Sequence, residues 1–373
     1  MKFEIVHTSK KSNARVGRIH TPHGVIDTPN FVAVGTNGTL KGLDNTAVSK
    51  IGLQLMFCNT YHLLLQPGTE IIKKAGGIHR FINRELPIIT DSGGFQVFSL
   101  AYGSVASELK SKGTKKAGGS VLKINDEGVL FRSYRDGKKI LLTPEGSINA
   151  QKAIGADIII PFDELPPYHT SSENLKQSLE RTHDWEIRSL KTHLKNPKSQ
   201  AMYGVIHGGL DPILRAKSCK VLREYPFDGF AVGGSMGKTK QEMIGMLSTL
   251  MPNLPKEAPN HLLGIADLTS VKQCIPLGID TFDSSYPTKA ARHGGLMTHK
   301  GLLKITKGTY RQMFKPIEKE CECPTCKNYS LAYLHHLFKA KEITAMTLAS
   351  IHNLYFMVQL MKQQRQKIIE NVI

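Results

Sequence analysis

The chain has 373 residues, which is enough for one large barrel or two ordinary domains. Apolar residues make up 40% and charged residues 21%, as in globular proteins, and no stretch approaches the ~20 apolar residues of a membrane span. Lys and Arg outnumber Asp and Glu by 49 to 31, and the resulting charge of +18 favours a polyanionic partner such as a nucleic acid. A basic surface that only keeps the protein soluble is the alternative.

The cysteines and the first residues indicate a compartment. Residues 1–4 contain neither an apolar run nor a cleavage site, so we expect no signal peptide. Six cysteines in a chain of this length do not form a disulfide framework, and three of them are clustered near residue 321. This usage predicts a cytoplasmic protein with one metal site.

Short alternating pieces within residues 1–28 predict antiparallel strands ahead of the main body. Eight apolar, strand-like runs then follow, and each ends in polar or glycine residues. These runs are 30–35, 53–61, 87–91, 157–163, 202–208, 230–234, 261–266 and 281–285, with helix-like segments at 172–193, 212–224, 239–250 and 269–273. The alternation predicts an α/β fold, a (β/α)8 TIM barrel within residues 1–300.

Residues 104–120 interrupt this pattern, because they are rich in Gly, Ser and Lys and lack apolar periodicity. We interpret them as a mobile, basic surface loop inserted after the third strand, with contact to a polyanion as the alternative role. Residues 129–143 then alternate as a hairpin around a turn at 135–138.

The residues that end the strands form the candidate active site, because catalytic groups of such barrels lie at the C-terminal strand ends. They are Asn59, Asp91, Asp163, His207, Gly233, Gly234 and Asp283. After Asp91 and Ser92, Gly93 and Gly94 allow the backbone to approach a ligand closely, and Phe95 offers a flat face to a planar group. Capping of the following helix is the alternative role for Asp91.

Two carboxylates at one barrel mouth can divide a glycosyl transfer between them. One attacks the anomeric carbon of a sugar, and the other moves a proton to the departing group and from the incoming one. If the mouth excludes water and accepts a planar base, bases are exchanged instead of hydrolysed. Phe95 and Leu263 could sandwich the heterocycle, while Asp163 and the Gly234 backbone bind its edge. From these residues alone, a barrel hydrolase that uses no zinc fits as well.

Residues 301–373 predict a helical subdomain that binds one structural zinc ion. Three thiolates at Cys321, Cys323 and Cys326 need one imidazole to complete a closed tetrahedral site, and His352 lies on a long amphipathic stretch beyond them. His335 and His336 are alternative ligands by spacing. Three reduced cysteines without metal are the other alternative.

Seven short segments resemble the signature segments of bacterial tRNA-guanine transglycosylases and occur in that family's order, from about Val34 to Phe356. They are 59–63 (NTYHL), 91–97 (DSGGFQV), 162–164 (FDE), 282–283 (FD), 287–288 (PT), 321–326 (CECPTC) and 351–354 (IHNL). The resemblance implies a (β/α)8 barrel with a zinc subdomain, usually a homodimer. It also implies exchange of the wobble guanine of GUN-anticodon tRNAs for a free 7-substituted 7-deazaguanine base.

The same resemblance implies roles for individual residues. Asp283 would be the nucleophile on the ribose C1′, and Asp91 would be the general acid/base. The base-binding residues would be Asn59, Ser92, Gly93, Gly94, Phe95, Asp163, His207, Gly233, Gly234 and Leu263. The tRNA-binding segment would be Thr288, Lys289, Ala290, Ala291 and Arg292, with the two basic residues on the neighbouring anticodon nucleotides. Zinc would be bound by Cys321, Cys323, Cys326 and His352.

The sequence departs from the family near the base. His207 stands where the family usually has glutamine. Lys238 replaces a glutamate that supports recognition of the aminomethyl substituent of the pre-queuosine base, in a loop one residue shorter, and Gly237 is expected to open room there. A lysine repels that ammonium group, so we expect queuine to be favoured, with altered affinity for the aminomethyl base as the alternative.

Two other functions compete with this interpretation. One is a non-catalytic tRNA-binding partner subunit, but such a subunit would be expected to lose Asp91 or Asp283. The other is a zinc-bearing barrel hydrolase acting on small molecules, which the basic surplus disfavours.

Overall fold

The computed structural model describes residues 1–102 and 120–373. The strands in chain order are β1 (Lys2–Thr8), β2 (Arg15–Thr21), β3 (Gly24–Thr28), β4 (Asn30–Val34), β5 (Leu55–Cys58), β6 (Ile88–Thr90), β7 (Val121–Asn125), β8 (Gly128–Arg132), β9 (Lys139–Leu142), β10 (Ile158–Ile159), β11 (Ala201–Ile206), β12 (Gly229–Val232), β13 (Asn260–Leu262), β14 (Thr281–Ser284), β15 (Gly295–Thr298) and β16 (Gly301–Lys304).

The helices in chain order are α1 (Asn45–Lys50), α2 (Thr60–Leu65), α3 (Thr69–Lys74), α4 (Ile78–Phe81), α5 (Gly94–Tyr102), α6 (Pro144–Ile154), α7 (Ser172–Leu194), α8 (Pro212–Leu222), α9 (Lys240–Leu250), α10 (Leu268–Cys274), α11 (Tyr286–Arg292), α12 (Pro324–Asn328), α13 (Leu331–Ala340) and α14 (Ile343–Ile369). Short 3-10 turns lie at Met251–Asn253, Ile275–Leu277 and Gly308–Tyr310. The four helices expected at 172–193, 212–224, 239–250 and 269–273 are all present.

Eight parallel strands close into a barrel in the order β10-β11-β12-β13-β14-β4-β5-β6, which confirms the predicted fold. Each of the eight predicted apolar runs overlaps one of these strands. The strand residues within these runs are mostly apolar because strands of a parallel barrel are covered on both faces. Val32, Phe57, Ile89 and Val205 pack inside the barrel, and a larger cluster joins the strands to the surrounding helices.

Local signals explain where several outer helices begin. Ser171 accepts a hydrogen bond from the Asn174 backbone amide at the start of α7. Asp211 caps α8, whose first residue is a proline, and Thr239 forms a capping box with Glu242 at the start of α9. These caps fix the points at which the chain turns from the strand ends into the helices.

The N-terminal antiparallel sheet β1-β2-β3 covers the end of the barrel where the strands begin. Ile19 and Ile26 belong to the apolar cluster inside the barrel. Arg15 on β2 forms a buried ion pair with Asp280, which precedes β14, at 2.6 Å. The opposite end, where the strands finish, is therefore the mouth at which a ligand can enter.

Two further expectations concern the chain between β6 and β10. The predicted hairpin is present as β8 and β9, which pair in antiparallel register, with β7 added on the other side of β8. The proposed loop at 104–120 lies, apart from Ser120, outside the described residues.

The long helix α14 belongs to both parts of the molecule. Its N-terminal half packs with the zinc-side cluster through Ala345 and Leu348. Its C-terminal half packs with the barrel's outer core through Phe356 and Leu360. Across the described ranges, no helix has both the length and the apolar character needed to span a membrane.

Candidate active site and metal centre

Asp91 follows β6 at the barrel mouth and is 8% exposed. Its Oδ2 accepts a hydrogen bond from Asn59 Nδ2 at 2.7 Å, and its Oδ1 accepts one from the Thr60 backbone amide at 2.7 Å. Thr60 is the first residue of α2. Asp91 therefore binds the N-terminus of the preceding helix rather than capping the helix that follows it, and Asn59 holds this carboxylate.

Burial raises the pKa of Asp91 to about 6. Hydrogen bonds from Asn59, Thr60 and Gln96 oppose this shift because they stabilise the carboxylate, and the nearby charge of Asp163 adds to it. A carboxyl group with such a pKa exchanges its proton near neutral pH, which is the property that a general acid/base needs.

Asp163 and His207 form a connected pair at the ends of β10 and β11, next to β6 in the same mouth. Asp163 Oδ1 accepts a hydrogen bond from Ser92 Oγ at 2.9 Å, and its Oδ2 lies 2.9 Å from His207 Nε2. The Asp163 side chain is 16% exposed, so it can still meet a ligand. The structure thus brings together three residues predicted to bind the base.

Three of the predicted glycines stand where a side chain would clash. A Cβ atom on Gly94 would lie 2.8 Å from the Asp163 carbonyl oxygen. A Cβ atom on Gly233 would lie 2.5 Å from Val205 Cγ1, and one on Gly234, which has φ +75°, would lie 2.9 Å from His207 Nδ1. The strand ends can pack this closely only without side chains.

Asp283 on β14 is 6% exposed. Its Oδ1 accepts a hydrogen bond from the Gly264 backbone amide at 2.7 Å and lies 3.1 Å from His261 Nε2. The other ring nitrogen, His261 Nδ1, lies 2.8 Å from Thr281 Oγ1. The carboxylate is therefore oriented by a strand neighbour that the sequence analysis did not select.

A signal for His261 exists in the sequence. Residues two apart on a strand face the same side, so His261 shares a face with Leu263, and Thr281 shares one with Asp283. His261 pairs with Thr281 across β13 and β14. Alternation indicates the face on which this histidine lies, and the register between β13 and β14 places it next to the carboxylate.

Phe95 and Leu263 are accessible apolar residues near the mouth. Phe95, in the first turn of α5, is 49% exposed, and Leu263 after β13 is partly exposed. An exposed aromatic ring beside a group of buried carboxylates is suited to stacking on a planar ligand.

A cavity of about 190 Å³ opens beside His207 and Gly234. The remaining residues that line it include Pro166, Tyr168, Gly208, Leu210 and Ser235. Lys238 Nζ lies 4.9 Å from the centre of the Tyr168 ring, so a positive charge stands near this cavity.

Gly237 does not add space to the cavity. Its φ is +94°, and a Cβ atom there would lie 2.7 Å from Glu242 Cβ. The Glu242 carboxylate accepts a hydrogen bond from the Lys238 backbone amide at 2.7 Å. Glycine is needed because the loop packs onto α9, and the expectation that it opens room for a substituent is wrong.

The predicted tRNA-binding segment lies on α11, directly after Asp283. Lys289 is exposed and Arg292 is partly exposed, whereas Thr288, Ala290 and Ala291 are buried. Thr288 Oγ1 donates to the Ser285 carbonyl oxygen at 3.1 Å. In this segment the two basic side chains are therefore the ones accessible to RNA.

Cys321, Cys323, Cys326 and His352 converge in one cluster. The three Sγ atoms lie 3.7, 3.5 and 3.4 Å from His352 Nδ1. Zn–S bonds of about 2.3 Å and a Zn–N bond of about 2.0 Å at a tetrahedral ion require S···N separations of roughly 3.5 Å. His352 Nε2 lies 2.8 Å from the Met297 carbonyl oxygen, which leaves Nδ1 for the metal.

The alternative ligands are not part of this cluster. His335 Nδ1 lies 2.7 Å from the Ile305 carbonyl oxygen, and His336 is exposed. A second group, His23, His79 and Asp157, lies where the barrel strands begin. There the stacked imidazole rings are nearly parallel and each binds a different oxygen of Asp157, so their lone pairs do not converge on one ion.

Comparison with known proteins identifies the family. The family model described as queuine tRNA-ribosyltransferase matches residues 9–373. A queuine tRNA-ribosyltransferase of Protochlamydia amoebophila is 70% identical over 372 residues, covering 100% of this chain and 96% of the relative. Those of Chlamydia caviae and Chlamydia muridarum are 54% and 56% identical, covering 100% of this chain and 100% and 99% of the relatives. The chain therefore belongs to the queuine tRNA-ribosyltransferase family, and it is a pentosyltransferase.

Proposed function

We propose that this protein exchanges the guanine at the wobble position of GUN-anticodon tRNAs for a free 7-deazaguanine base. The observation that carries the proposal is the pair Asp91 and Asp283, which lie at one barrel mouth in different surroundings. Asp91 is bound by an amide side chain and a backbone amide, and burial raises its pKa to about 6. Asp283 is held through one oxygen by His261 and Gly264. Two carboxylates in such different environments suit the roles of proton carrier and nucleophile.

The exchange proceeds in two displacements at the ribose. Within the described residues, both hydrogen bonds of the Asp283 carboxylate are made by Oδ1, so Oδ2 is the oxygen that attacks C1′. The bond from C1′ to guanine breaks as Asp91 donates its proton to the departing base. The incoming base then returns a proton to Asp91 and attacks C1′, which releases Asp283.

The base must leave the anticodon loop to reach these groups, and this costs little in a single-stranded loop. Phe95 and Leu263 stack on the two faces of the base. Asp163 binds the hydrogen-bonding edge and is itself oriented by Ser92 and His207. Lys289 and Arg292 on α11 bind the neighbouring anticodon nucleotides.

The charges near the cavity favour queuine over the aminomethyl base. Lys238 lies over Tyr168, which lines the cavity, and would repel an ammonium group. Glu164 also lines the cavity, but its carboxylate is paired with Arg181 at 2.7 Å. The cavity of about 190 Å³ next to His207 and Gly234 provides space for an uncharged ring on the base.

The test uses tRNA that carries labelled guanine at the wobble position. The parent protein and Asp283→Ala are each incubated with queuine, with the aminomethyl base, and without any base. We expect the parent to release label with queuine and Asp283→Ala to release none. Retained label with tRNA still bound to the parent would refute exchange and indicate a non-catalytic tRNA-binding subunit.

The preference between bases has its own variant. Lys238→Glu reverses the charge beside Tyr168, so we expect it to lower the KM for the aminomethyl base. Lys217→Glu, which reverses an exposed charge on α8, is the matched control. Efficient turnover of the aminomethyl base by the parent, with none of queuine, would refute the preference.

We also propose one structural zinc ion in the Cys321–Cys323–Cys326–His352 cluster, a cytoplasmic location and a homodimer. The donor set and the fixed tautomer of His352 support zinc. We further propose a barrel unit at residues 1–300 and a zinc unit at 301–373, whose helix α14 packs on the barrel. Native mass spectrometry measures the metal content and the oligomeric state in one experiment.

A further inference from the structure

Arg215 is a buried cation placed between two loops of the barrel mouth. It lies on α8, is 1% exposed, and is among the largest fully buried side chains among the described residues. Its hydrogen bonds all go to backbone carbonyl groups. Burial lowers its pKa to about 10, which still leaves the guanidinium charged at neutral pH.

The four carbonyl groups belong to two different strand ends. After β11, Arg215 Nη1 donates to Ile206 O at 2.5 Å and Nε donates to Gly209 O at 2.8 Å. After β12, Nη1 donates to Gly233 O at 2.9 Å and Nη2 donates to Ser235 O at 3.1 Å. One rigid guanidinium therefore fixes the separation of the two loops.

These loops carry the residues that stand at the edge of the proposed base site. His207 lies between Ile206 and Gly209, and Gly234 lies between Gly233 and Ser235. The His207 ring packs so closely on Gly234 that a Cβ atom there would lie 2.9 Å from Nδ1. Gly208 to Leu210 and Gly234 with Ser235 also line the cavity beside the base site.

The contact between α8 and the first loop is equally close. A Cβ atom on Gly208 would lie 2.7 Å from the Arg215 backbone nitrogen. Ser218, one turn further along α8, accepts a hydrogen bond from the His207 backbone amide at 3.2 Å. The first loop is thus seated on α8, and the Arg215 side chain extends the hydrogen bonding from α8 to the second loop.

We propose that Arg215 is a positioning residue that sets the width of this cavity and thereby determines which 7-substituent the protein accepts. The proposal rests on the proposed base exchange and assigns its specificity to a residue that does not touch the substrate. Without the guanidinium, four carbonyl dipoles that point towards one place would repel each other, and the loops would separate.

Arg215→Lys is the test variant, because it keeps the charge but replaces a planar fork with a single donor atom. An ammonium group at one point cannot reach carbonyl oxygens on both loops as the fork does. Arg223→Lys is the matched control, since Arg223 caps the C-terminal end of the same helix and is exposed. Thermal unfolding of both variants is measured first to establish that they fold.

Steady-state exchange is then measured with queuine and with unsubstituted guanine. For Arg215→Lys we expect the KM for queuine to rise about tenfold, as for one lost charged hydrogen bond, with a much smaller change in the KM for guanine. A wider separation of the loops changes the cavity for the 7-substituent more than the site in which Phe95 and Leu263 stack on the base. The selectivity for queuine over guanine therefore falls. Equal changes for both bases, or none, would overturn the proposal.

Hydrogen–deuterium exchange separates this inference from the proposed function. In Arg215→Lys we expect faster exchange at residues 206–210 and 233–237 than in the parent and in Arg223→Lys. Suppose that the parent protein does not exchange the base, but that hydrogen–deuterium exchange becomes faster in both loops of Arg215→Lys. The proposed function then fails and the positioning role stands. Unchanged protection of either loop refutes the positioning role, whatever the activity of the parent.

Discussion

The metal centre and the barrel mouth hold their polar groups in opposite ways. The metal cluster takes its four donors from a short part of the chain, 321–352, and they converge on one point. The mouth takes Asn59, Asp91, Asp163 and Asp283 from strands spread over most of the barrel. There each carboxylate is bound by donors from a neighbouring strand end or helix. The metal site is thus one all-or-none unit, whereas the mouth consists of separable contacts.

This difference determines which substitutions have graded effects on function. Loss of any one ligand of the proposed zinc ion would remove the ion, so the four residues would lose their function together. In the mouth, a residue that only orients a carboxylate can be changed while the carboxylate remains.

The largest effect is expected for Asp283→Asn. The side chain keeps its shape and one hydrogen-bonding oxygen, but an amide is a poor nucleophile, so we expect the exchange rate to fall by roughly 10⁴-fold or more. Denaturing electrophoresis of protein mixed with tRNA would show a covalent adduct for the parent and none for the variant. A variant that retains both exchange and adduct would contradict the assignment of Asp283 as nucleophile.

Cys326→Ser should abolish zinc binding and lower the free energy of unfolding. Structural zinc contributes ~10–16 kcal/mol in zinc-finger peptides, so we expect a loss of at least about 3 kcal/mol here. Because α14 also packs on the barrel, the destabilisation should reach the whole chain. Metal content and urea unfolding are the measurements.

His336→Ala is the matched control for the zinc variant, because this histidine is exposed and lies outside the cluster. It should keep one zinc ion per chain and the parental unfolding midpoint. Loss of zinc in this control, or full zinc content in Cys326→Ser, would show that the ligand set is different.

The same contrast explains how much the sequence could predict. Cys321, Cys323 and Cys326 are close in sequence, so their spacing alone indicated a metal site. The eight apolar runs predicted the barrel because every strand of a parallel barrel is apolar on both faces. Asp91 and Asp283 could be predicted because the ends of barrel strands share one mouth.

Contacts across strands were harder to predict. The pairing of His261 with Asp283 depends on the register between β13 and β14, which no local pattern gives. The expectation that Asn59 binds the base did not include the hydrogen bond from its Nδ2 to Asp91. The role of Arg215 could not be predicted from the sequence. Its side chain donates to backbone carbonyl groups, which every residue has, so no acidic partner in the sequence indicates the contact.

Asn59→Ala should change the pH dependence of the reaction more than its maximal rate. The Asn59 amide stabilises the ionised form of Asp91, so its removal should raise a pKa that is already about 6. In the proposed mechanism the free protein needs protonated Asp91 to release guanine, so kcat/KM for tRNA should fall as the pH rises through this pKa. In the variant this fall should occur at higher pH.

The pH–rate profiles of kcat/KM for parent and variant test this directly. An unchanged inflection would mean that another group controls the reaction. An inflection at lower pH would contradict the contact itself, because loss of a donor cannot favour the carboxylate.

The smallest effect is expected for Lys289→Met. This lysine is exposed on α11, next to the strand that carries Asp283, and has no assigned part in the chemistry. Loss of one phosphate contact with a single-stranded loop should make the slope of log K against log salt less steep by about 0.7 and leave kcat unchanged. Lys2→Met removes the same charge from β1, at the closed end of the barrel, and should leave the slope as in the parent. Equal slopes for all three proteins would exclude Lys289 from the RNA interface. An equally less steep slope in both variants would show that the overall charge of +18 attracts the tRNA, rather than a defined contact at the mouth.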